Sequence, residues 1–303
     1  MTATTTTPQA VSSPSRFRKF LSAAREAPKI PTAILLIFLF CGIFANTDFF
    51  GNMILPHDPN KTSFMDALRP PFWMKGGTTK YILGTDQLGR DILSRIMAGA
   101  GVSLEIGTMA VLFAGLLGSL VAICGGYLGG RTDTILMRIL DIVIAMPFLV
   151  LAVTLAAIMG ASKYNLIIII SALAWTWYAR VLRSEVLRLK EGDFIRLAVV
   201  AGCSKIRIMF RHIFPNIINS LVVLMTLNLG VVIIAEASLS FLGLGVPPPD
   251  PDWGSMISEG RNYIGQAWWL CVWPGLAILL TVLSFNLLGD WLRVRLDPKF
   301  RQI

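Results

Sequence analysis

Several apolar runs of about twenty residues divide this chain, and they constrain its fold more than any other feature. A helix of about 20 mostly apolar residues crosses the hydrocarbon core of a bilayer. The composition agrees, because 54% of the residues are hydrophobic and only 15% are charged, whereas soluble domains have about 25% charged residues. The sequence therefore predicts an all-α polytopic membrane protein with six transmembrane helices, at about 32–45, 102–124, 139–160, 164–182, 217–236 and 267–289.

The basic residues predict how these spans are oriented. Only residues 160–165 separate the third and fourth spans, so these two spans form an antiparallel hairpin. If both termini are cytoplasmic, 19 of the 27 Lys and Arg residues lie on the cytoplasmic side, as the positive-inside rule favours. The net charge of +9 is then a consequence of topology, and it does not indicate binding to nucleic acid. Residues 32–45 lack an Ala-x-Ala cleavage pattern and are expected to remain as an anchor.

The residue patterns of common catalytic and cofactor sites are absent. The sequence has no Gly-Lys dipeptide, which excludes a Walker A phosphate loop. Its two histidines, His57 and His212, are expected on opposite sides of the membrane and cannot form a multi-His metal site. The four cysteines are too far apart for a Cys-x-x-Cys motif. We therefore expect that this chain is not an enzyme and binds no metal and no cofactor of its own.

The long cytoplasmic loop at 183–216 is the most informative segment. Asp193 is expected to cap a short helix that ends at Gly202. Ser204 is expected to cap a second helix, which Pro215 separates from the next span. Two short amphipathic helices that carry both Phe and Arg suit docking in a groove of a cytoplasmic partner. They suit equally an interfacial helix that lies among lipid headgroups.

Polar residues within the spans are costly, so they are candidates for function. Glu105 and Asp141 lie near span ends, where contact with water is easy and a structural role is expected. Asn228 lies in the middle of the fifth span, and Glu236 follows about two turns later, about 80° away around the helix, so the two side chains could border one cavity. Hydrogen bonding between helices is the alternative role for both.

The outer segments contain two further patterns. Thr85 and Asp86 are expected to start a short helix at the outer membrane edge, where Arg90, Asp91 and Arg95 make polar contacts or face solvent. A proline-rich stretch at 247–251 is expected to be extended and stiff. Three tryptophans at the entrance of the last span are expected to form an interfacial belt: Trp268, Trp269 and Trp273.

The cytoplasmic loop resembles the coupling loop of bacterial ABC importer permeases. In that signature a Glu-Ala-Ala triplet precedes a Gly, and a Leu-Pro follows twelve residues later. The stretch Gly192-Asp-Phe-Ile-Arg-Leu-Ala-Val-Val-Ala-Gly202 and Ile213-Phe-Pro215 resemble it: Gly202 and Pro215 match, and Ala198 matches the last member of the triplet. Arg196, Leu197 and Phe214 stand where the signature has Glu, Ala and Leu.

Two other stretches are similar to the C-type permease subunit of bacterial dipeptide and oligopeptide ABC importers. One is Leu83-Gly-Thr-Asp-Gln-Leu-Gly-Arg-Asp-Ile-Leu-Ser-Arg95, followed by Ser103-Leu104. The other runs from Phe241-Leu-Gly-Leu-Gly245 through Trp253-Gly254 to Leu296-Asp-Pro298. The resemblance covers nearly the whole chain except its first 25 or so residues.

This resemblance implies a type I ABC importer permease core, MetI-like in fold, in a bacterial inner membrane. It implies as partners a homologous second permease, two ATP-binding cassette ATPases that bind ATP and Mg²⁺, and a periplasmic substrate-binding protein. Dipeptides or short oligopeptides are the expected substrates. Nickel, glutathione, opines and sugars are alternatives within the same machinery. An ion-coupled secondary transporter is the rival class, but the sequence shows neither inverted repeats nor midplane carboxylates for a coupling ion.

The same resemblance divides the chain, assigns its coupling residues and implies that Asn228 and Glu236 lie on a helix beside the translocation path. We expect a cytoplasmic tail at 1–31, a first transmembrane helix with a periplasmic segment at 32–100, the importer domain at 101–292 and a cytoplasmic tail at 293–303. The expected contacts with an ATPase lie within the coupling loop: Gly192, Asp193, Phe194, Ile195, Arg196, Leu197, Ala198, Val199, Val200, Ala201, Gly202, Cys203, Ser204 and Lys205.

Overall fold

The computed structural model describes residues 27–45 and 54–296, so most of the two predicted tails lies outside the described residues. Within this part the chain is helical and has no β-strand, which confirms the predicted all-α class. The helices, in chain order, are α1 (Lys29–Ala45), α2 (Ile92–Leu128), α3 (Gly130–Ala145), α4 (Phe148–Met159), α5 (Lys163–Lys190), α6 (Asp193–Val200), α7 (Lys205–Phe241), α8 (Trp253–Gly260) and α9 (Trp269–Leu296).

Four of these helices, α2, α5, α7 and α9, are long and apolar enough to cross a membrane individually. The pair α3 and α4 also qualifies if the two helices are taken together. Helix α1 is apolar but has only 17 residues. The predicted six spans are therefore consistent with the described residues, provided that α1 and the α3–α4 pair each count as one.

The third predicted span is not a straight helix. Helices α3 and α4 are bent by 89° relative to each other. The bend occurs because Pro147 has no N–H to continue the helix and disfavours a helical conformation at Met146, whose backbone is extended with ψ 139°. The short connection from α4 to α5 is present as predicted: Asn165 Nδ2 donates to the carbonyl oxygens of Met159 at 2.8 Å and Gly160 at 3.1 Å.

Small residues allow the spans to approach each other closely. A side chain at Gly118 of α2 would collide with the Trp175 carbonyl and Tyr178 Cβ of α5. Likewise, a Cβ atom on Gly42 of α1 would lie only 2.8 Å from Gly101 Cα of α2. Such contacts bring helix backbones together where lipid provides no hydrophobic driving force between helices. Helix α2 therefore lies between α1 and α5 at the centre of the fold.

The outer segment before α2 differs from the prediction at one point. No helix starts at Thr85; instead Thr85 forms an isolated bridge with Asp91, and α2 starts at Ile92. Asp91 is the N-cap, and its carboxylate accepts a bond from Ser94 N at 3.0 Å. The segment is organised by Asp66, which accepts from the Tyr81 hydroxyl at 3.0 Å. This bond is the main reason that the pKa of the Asp66 carboxyl is lowered.

Candidate functional site: a cytoplasmic docking helix and a buried carboxyl pair

The predicted coupling helix is present as α6, but its start differs from the prediction. Gly192 occupies the N-cap position, and Asp193 is the first helical residue. The Asp193 side chain is 95% exposed and makes no capping bond, so the prediction that it caps the helix was wrong. Its charge still lies in the first turn, where a carboxylate interacts favourably with the helix dipole.

The end of α6 agrees with the prediction. Gly202 has a φ of +77°, a backbone conformation that glycine adopts without strain. Its N–H donates to Val199 O at 3.0 Å and the Cys203 N–H donates to Ala198 O at 3.0 Å, which is the Schellman pattern of a helix C-terminus. Ser204 then caps the following helix by accepting from the Arg207 N–H at 3.4 Å. The local sequence thus sets the turn between α6 and α7.

The prediction that Pro215 separates a second short helix from the next span was wrong. One helix, α7, continues from Lys205 to Phe241. A π-helical turn at Ile208–Ile213 precedes the proline, and its altered hydrogen-bond spacing accommodates a residue that cannot donate. The Asn216 side chain also donates to His212 O at 2.5 Å. As a result, the helix that begins after the α6–α7 turn continues without a break into the membrane span.

Apolar side chains cover both sides of α6. Ile195 and Ala198 are buried against the rest of the chain. Leu197 and Val200 are 68% and 86% exposed, and Ile206, at the start of α7, is 71% exposed. Apolar side chains this exposed in a cluster are typical of a surface that another molecule covers. The remaining predicted coupling residues all lie in this helix or its flanking turns.

The structure does not bring Asn228 and Glu236 together at an open cavity. The Asn228 side chain is partly buried and donates to Leu224 O of its own helix at 2.9 Å. Glu236 is 0% exposed and accepts from Ser240 Oγ at 3.2 Å. In this structure Glu236 therefore faces the packed interior of the chain, and the role of either residue on a translocation path stays a prediction.

Glu236 belongs to a buried polar cluster that the sequence did not reveal. Asp252, in the loop before α8, is fully buried beside it and N-caps α8 by accepting from Ser255 N at 2.9 Å. Burial raises the pKa of the Asp252 carboxyl. Glu236 Oε2, Asp252 Oδ2 and Ser103 Oγ have no hydrogen-bond partner among the described residues. The loop approaches α7 this closely because Gly245 and Gly254 have no side chain to collide with Ser240 and Ala237.

The comparison with known families now decides what kind of protein this is. A sequence profile of the binding-protein-dependent transport system inner membrane component matches residues 114–302. The chain belongs to this family. The resemblance that the motifs indicated is thus confirmed, and the chain is a transport permease. The coupling role of α6 stays a prediction.

Individual relatives agree with this assignment. The chain is 44% identical over 269 residues to a dipeptide transport system permease protein of Escherichia coli. The aligned residues cover 88% of this chain and 87% of that protein. It is 40% identical over 267 residues to a di/tripeptide transport system permease protein of Pseudomonas aeruginosa, with 88% and 86% covered. It is also 40% identical over 253 residues to a glutathione transport system permease protein of Pectobacterium atrosepticum, with 84% and 82% covered.

The outer face of this permease contains a second polar cluster that sequence reasoning missed. Arg90 Nε lies 2.6 Å from Asp86 Oδ2, and Arg90 Nη2 lies 2.5 Å from Glu259 Oε2 of α8. Arg95, almost fully buried, lies 3.7 Å from the same Asp86 oxygen. These contacts connect the segment before α2 to α8, so the alternative of a solvated surface helix was wrong. In the sequence, only the presence of Arg90 and Arg95 indicated polar contacts here. Their partner Glu259 could not be identified because it is 169 positions from Arg90.

The other polar residues noted in the permease spans make surface ion pairs. Glu105 lies 3.0 Å from Lys163 Nζ, and Asp141 lies 2.9 Å from Arg180 Nη2. All four side chains are partly or largely exposed, and such pairs contribute little to stability. Their placement agrees with the structural role that was expected for them.

Of the predicted tryptophan belt, only part faces outward. Trp268 and Trp273 lie near each other and are partly buried, and Trp73 of the outer segment meets Trp273 edge to face with ring centroids 5.9 Å apart. Trp269 is instead buried and donates to Thr85 O at 3.2 Å. That contact attaches the start of α9 to the outer segment.

Proposed function

We propose that this chain is the permease subunit of an ATP-driven importer, and that it forms half of a path for dipeptides or short oligopeptides. Its family membership and its peptide-permease relatives support this function. In the proposed complex it pairs with a homologous second permease and two ATP-binding cassette ATPases. A periplasmic binding protein delivers the substrate. The ATPases, and not this chain, bind ATP and Mg²⁺, and both termini lie in the cytoplasm.

The observation that carries this proposal is the exposed apolar face of α6. Leu197 is largely exposed, and Asp193 lies beside it, about 40° away around the helix. An apolar side chain next to a carboxylate is poorly suited to an anionic headgroup layer but fits a groove on a protein. We therefore favour docking on an ATPase over the alternative of an interfacial helix for this face.

The continuity of α7 supports a mechanism of alternating access. Closure of the ATPase pair on ATP would displace α6, and the short Schellman turn would transmit that motion to the start of α7. Because α7 has no break at Pro215, the displacement reaches the outer end of the span as a rigid rotation. The driving free energy comes from the ATPases, since a substrate that binds both states equally shifts no equilibrium.

The proposed substrate class follows the relatives, whose names specify dipeptides, di- or tripeptides and glutathione. A panel of dipeptides, tripeptides, glutathione and nickel, tested for uptake with the cognate binding protein, would decide among these. Uptake of peptides without nickel uptake supports the proposal, whereas uptake of nickel alone contradicts it.

The docking role is tested by changing Leu197 to Asp. Because Leu197 is exposed and makes little contact within the chain, the variant should insert and fold normally. Loss of one central apolar anchor at an interface should reduce ATPase retained on purification by about tenfold or more. The measurement is the amount of ATPase that co-purifies from membranes expressing the whole transporter.

A matched control is Ile264→Asp, which also introduces a charge at an exposed apolar position but in the outer loop before α9. It should retain the ATPases. Equal retention by Leu197→Asp, Ile264→Asp and the unchanged chain would contradict the docking role of α6.

A further inference from the structure

The side of α6 that carries Val199 borders a cavity. The cavity has a volume of about 470 Å³ and lies between α6, the end of α2 and the ends of α5 and α7. Its apolar walls include Tyr127, Leu128 and Val199. Leu197 does not line it. Since Leu197 and Val199 are two residues apart, they lie about 160° apart around the helix, so the cavity and Leu197 are on different sides of α6. Val200 lies between them and borders both the cavity and the exposed apolar face.

The charged residues around this cavity are all basic. Lys190, Arg196 and Lys205 line it, and none of its eight lining residues is acidic. Arg196 is paired with Glu191 at 3.4 Å. Lys190 and Lys205 have no acidic partner within 4.0 Å in the described part of the chain. Lys190 Nζ lies 5.9 Å from the Tyr127 ring centre and interacts at longer range with Asp133, whose ion-pair partner is Arg183. The cavity thus combines an apolar floor with two ammonium groups that are in no ion pair.

The depth of the cavity matches the cytoplasmic headgroup layer. The apolar run of α2 ends at about residue 124, and Leu128 lies four residues beyond it, or about 6 Å along a helix. The headgroup layer on each side of the hydrocarbon core is about 5–7 Å thick. Basic pockets between membrane helices on the cytoplasmic side are suited to anionic lipid headgroups.

We propose that the cavity bordered by Tyr127, Val199, Lys190 and Lys205 binds an anionic phospholipid of the cytoplasmic leaflet. The phosphate lies between the two lysines, and the adjoining part of an acyl chain lies against the apolar wall. A bound lipid would contact the inner side of α6 and so support the helix whose other side is exposed. This inference does not depend on the ATPase docking or on the substrate.

The test measures lipid binding to the full purified chain. The chain in detergent is titrated with phosphatidylglycerol and, separately, with phosphatidylcholine, and bound lipid is counted by native mass spectrometry. We expect preferential binding of phosphatidylglycerol. The variant Lys190→Gln/Lys205→Gln should bind it about thirtyfold more weakly, because each lysine near an anionic headgroup contributes about fivefold in affinity.

Two further variants separate charge from shape. Lys61→Gln/Lys75→Gln removes the same charge from two exposed lysines of the segment before α2, outside the cavity, and should bind phosphatidylglycerol as the unchanged chain does. Val199→Trp keeps both lysines but fills the apolar part, and should also weaken binding. Since Lys190, Lys205 and Val199 are at least partly exposed, normal thermal unfolding of each variant would show that folding is intact.

Three results would overturn the proposal. One is equal affinity of the unchanged chain and Lys190→Gln/Lys205→Gln for phosphatidylglycerol. Another is complete competition by inorganic phosphate at equal concentration, which would identify a simple anion site. A third is protection of both lysines from amine modification by co-purified ATPase in lipid-free detergent, which would assign the cavity to a protein partner. None of these outcomes bears on whether the chain imports peptides.

Discussion

At the outer face, Arg90 lies between Asp86 and Glu259 and is almost fully buried, whereas at the cytoplasmic face α6 leaves Leu197 and Val200 exposed. The outer contacts join segments of the same chain, so the chain alone satisfies them. The apolar face of α6 has no such cover in the described chain. This difference fits our proposal that the outer end is closed by contacts within the chain and that the cytoplasmic end docks on another molecule.

The largest effect is expected from Arg90→Ala, which would remove the centre of the outer cluster. Asp86 and Glu259 would then share only the more distant Arg95. The carboxylate of Asp86, which is largely buried, would lose its nearest positive charge. We expect a loss of about 3 kcal/mol in the free energy of unfolding. The measurement is denaturant unfolding of the purified chain in detergent.

Two controls accompany this variant. Lys61→Ala removes an exposed positive charge from the same segment and should change stability by less than about 0.5 kcal/mol. Arg90→Lys keeps the charge without the two-pronged geometry and should fall between the two. If Arg90→Ala is as stable as Lys61→Ala, the outer end is not the rigid region that the comparison requires.

A smaller effect is expected from Gly202→Ala at the docking end. An alanine at φ +77° is strained, which costs about 1 kcal/mol, but no neighbouring atom would be displaced. The strain should alter the angle between α6 and α7 and lower ATP-driven uptake more than it lowers stability. Uptake and hydrolysis in proteoliposomes, compared with the unfolding midpoint, provide the test.

Gly202→Asn is the matched variant, because asparagine tolerates this backbone conformation better than alanine. It should retain more uptake than Gly202→Ala. Identical uptake by both variants would mean that the geometry of the α6–α7 turn does not matter for coupling.

The smallest of the three effects is expected from Asp252→Asn, which tests the buried carboxyl at the outer end. Its effect on stability should be least at low pH. Because burial raises the pKa of Asp252, the folded chain binds more protons than the unfolded chain between the ordinary pKa and the raised pKa. Stability from this group is therefore present at low pH and is lost as pH rises through that window. Asparagine does not titrate and still caps a helix, so the variant should gain stability relative to the unchanged chain as pH rises.

Thermal unfolding midpoints from acidic to mildly alkaline pH measure this difference. Asp250→Asn, an exposed position in the same loop, is the control and should follow the unchanged chain throughout. A constant gap between Asp252→Asn and the unchanged chain at all pH values would show that Asp252 does not titrate in the way that its burial predicts.

Local patterns predicted the features that depend on short stretches of chain. The apolar runs gave the spans, and Gly202 and Ser204 gave the turn between α6 and α7. Predictions failed where a neighbouring element or local geometry offered another solution. Asp193 does not cap α6 because Gly192 takes that position, and Pro215 does not end a helix because a π-turn precedes it.

Contacts between distant segments were not predictable from residue types alone. Glu236 was identified as a costly residue, but its neighbour Asp252 lies beyond a proline-rich loop whose path the sequence does not specify. Similarly, Arg90 and Arg95 appeared suited to polar contacts, but the sequence does not specify which carboxylate on the outer side is their partner, and the structure identifies Glu259. Close approach at Gly245 and Gly254 brings the loop onto α7, and that approach is a property of the packed structure.

The amino-acid sequence by itself determined that this chain spans a membrane as an all-α permease. It also determined that a short helix follows α5, on the side of the membrane where most Lys and Arg residues lie. These properties depend on hydrophobic length, on charge counts and on the backbone freedom of single residues. Tertiary structure alone decided which buried charges meet and that a basic cavity lies beside α6. Those outcomes depend on how helices pack in three dimensions, because each partner becomes a neighbour only after distant segments have come together.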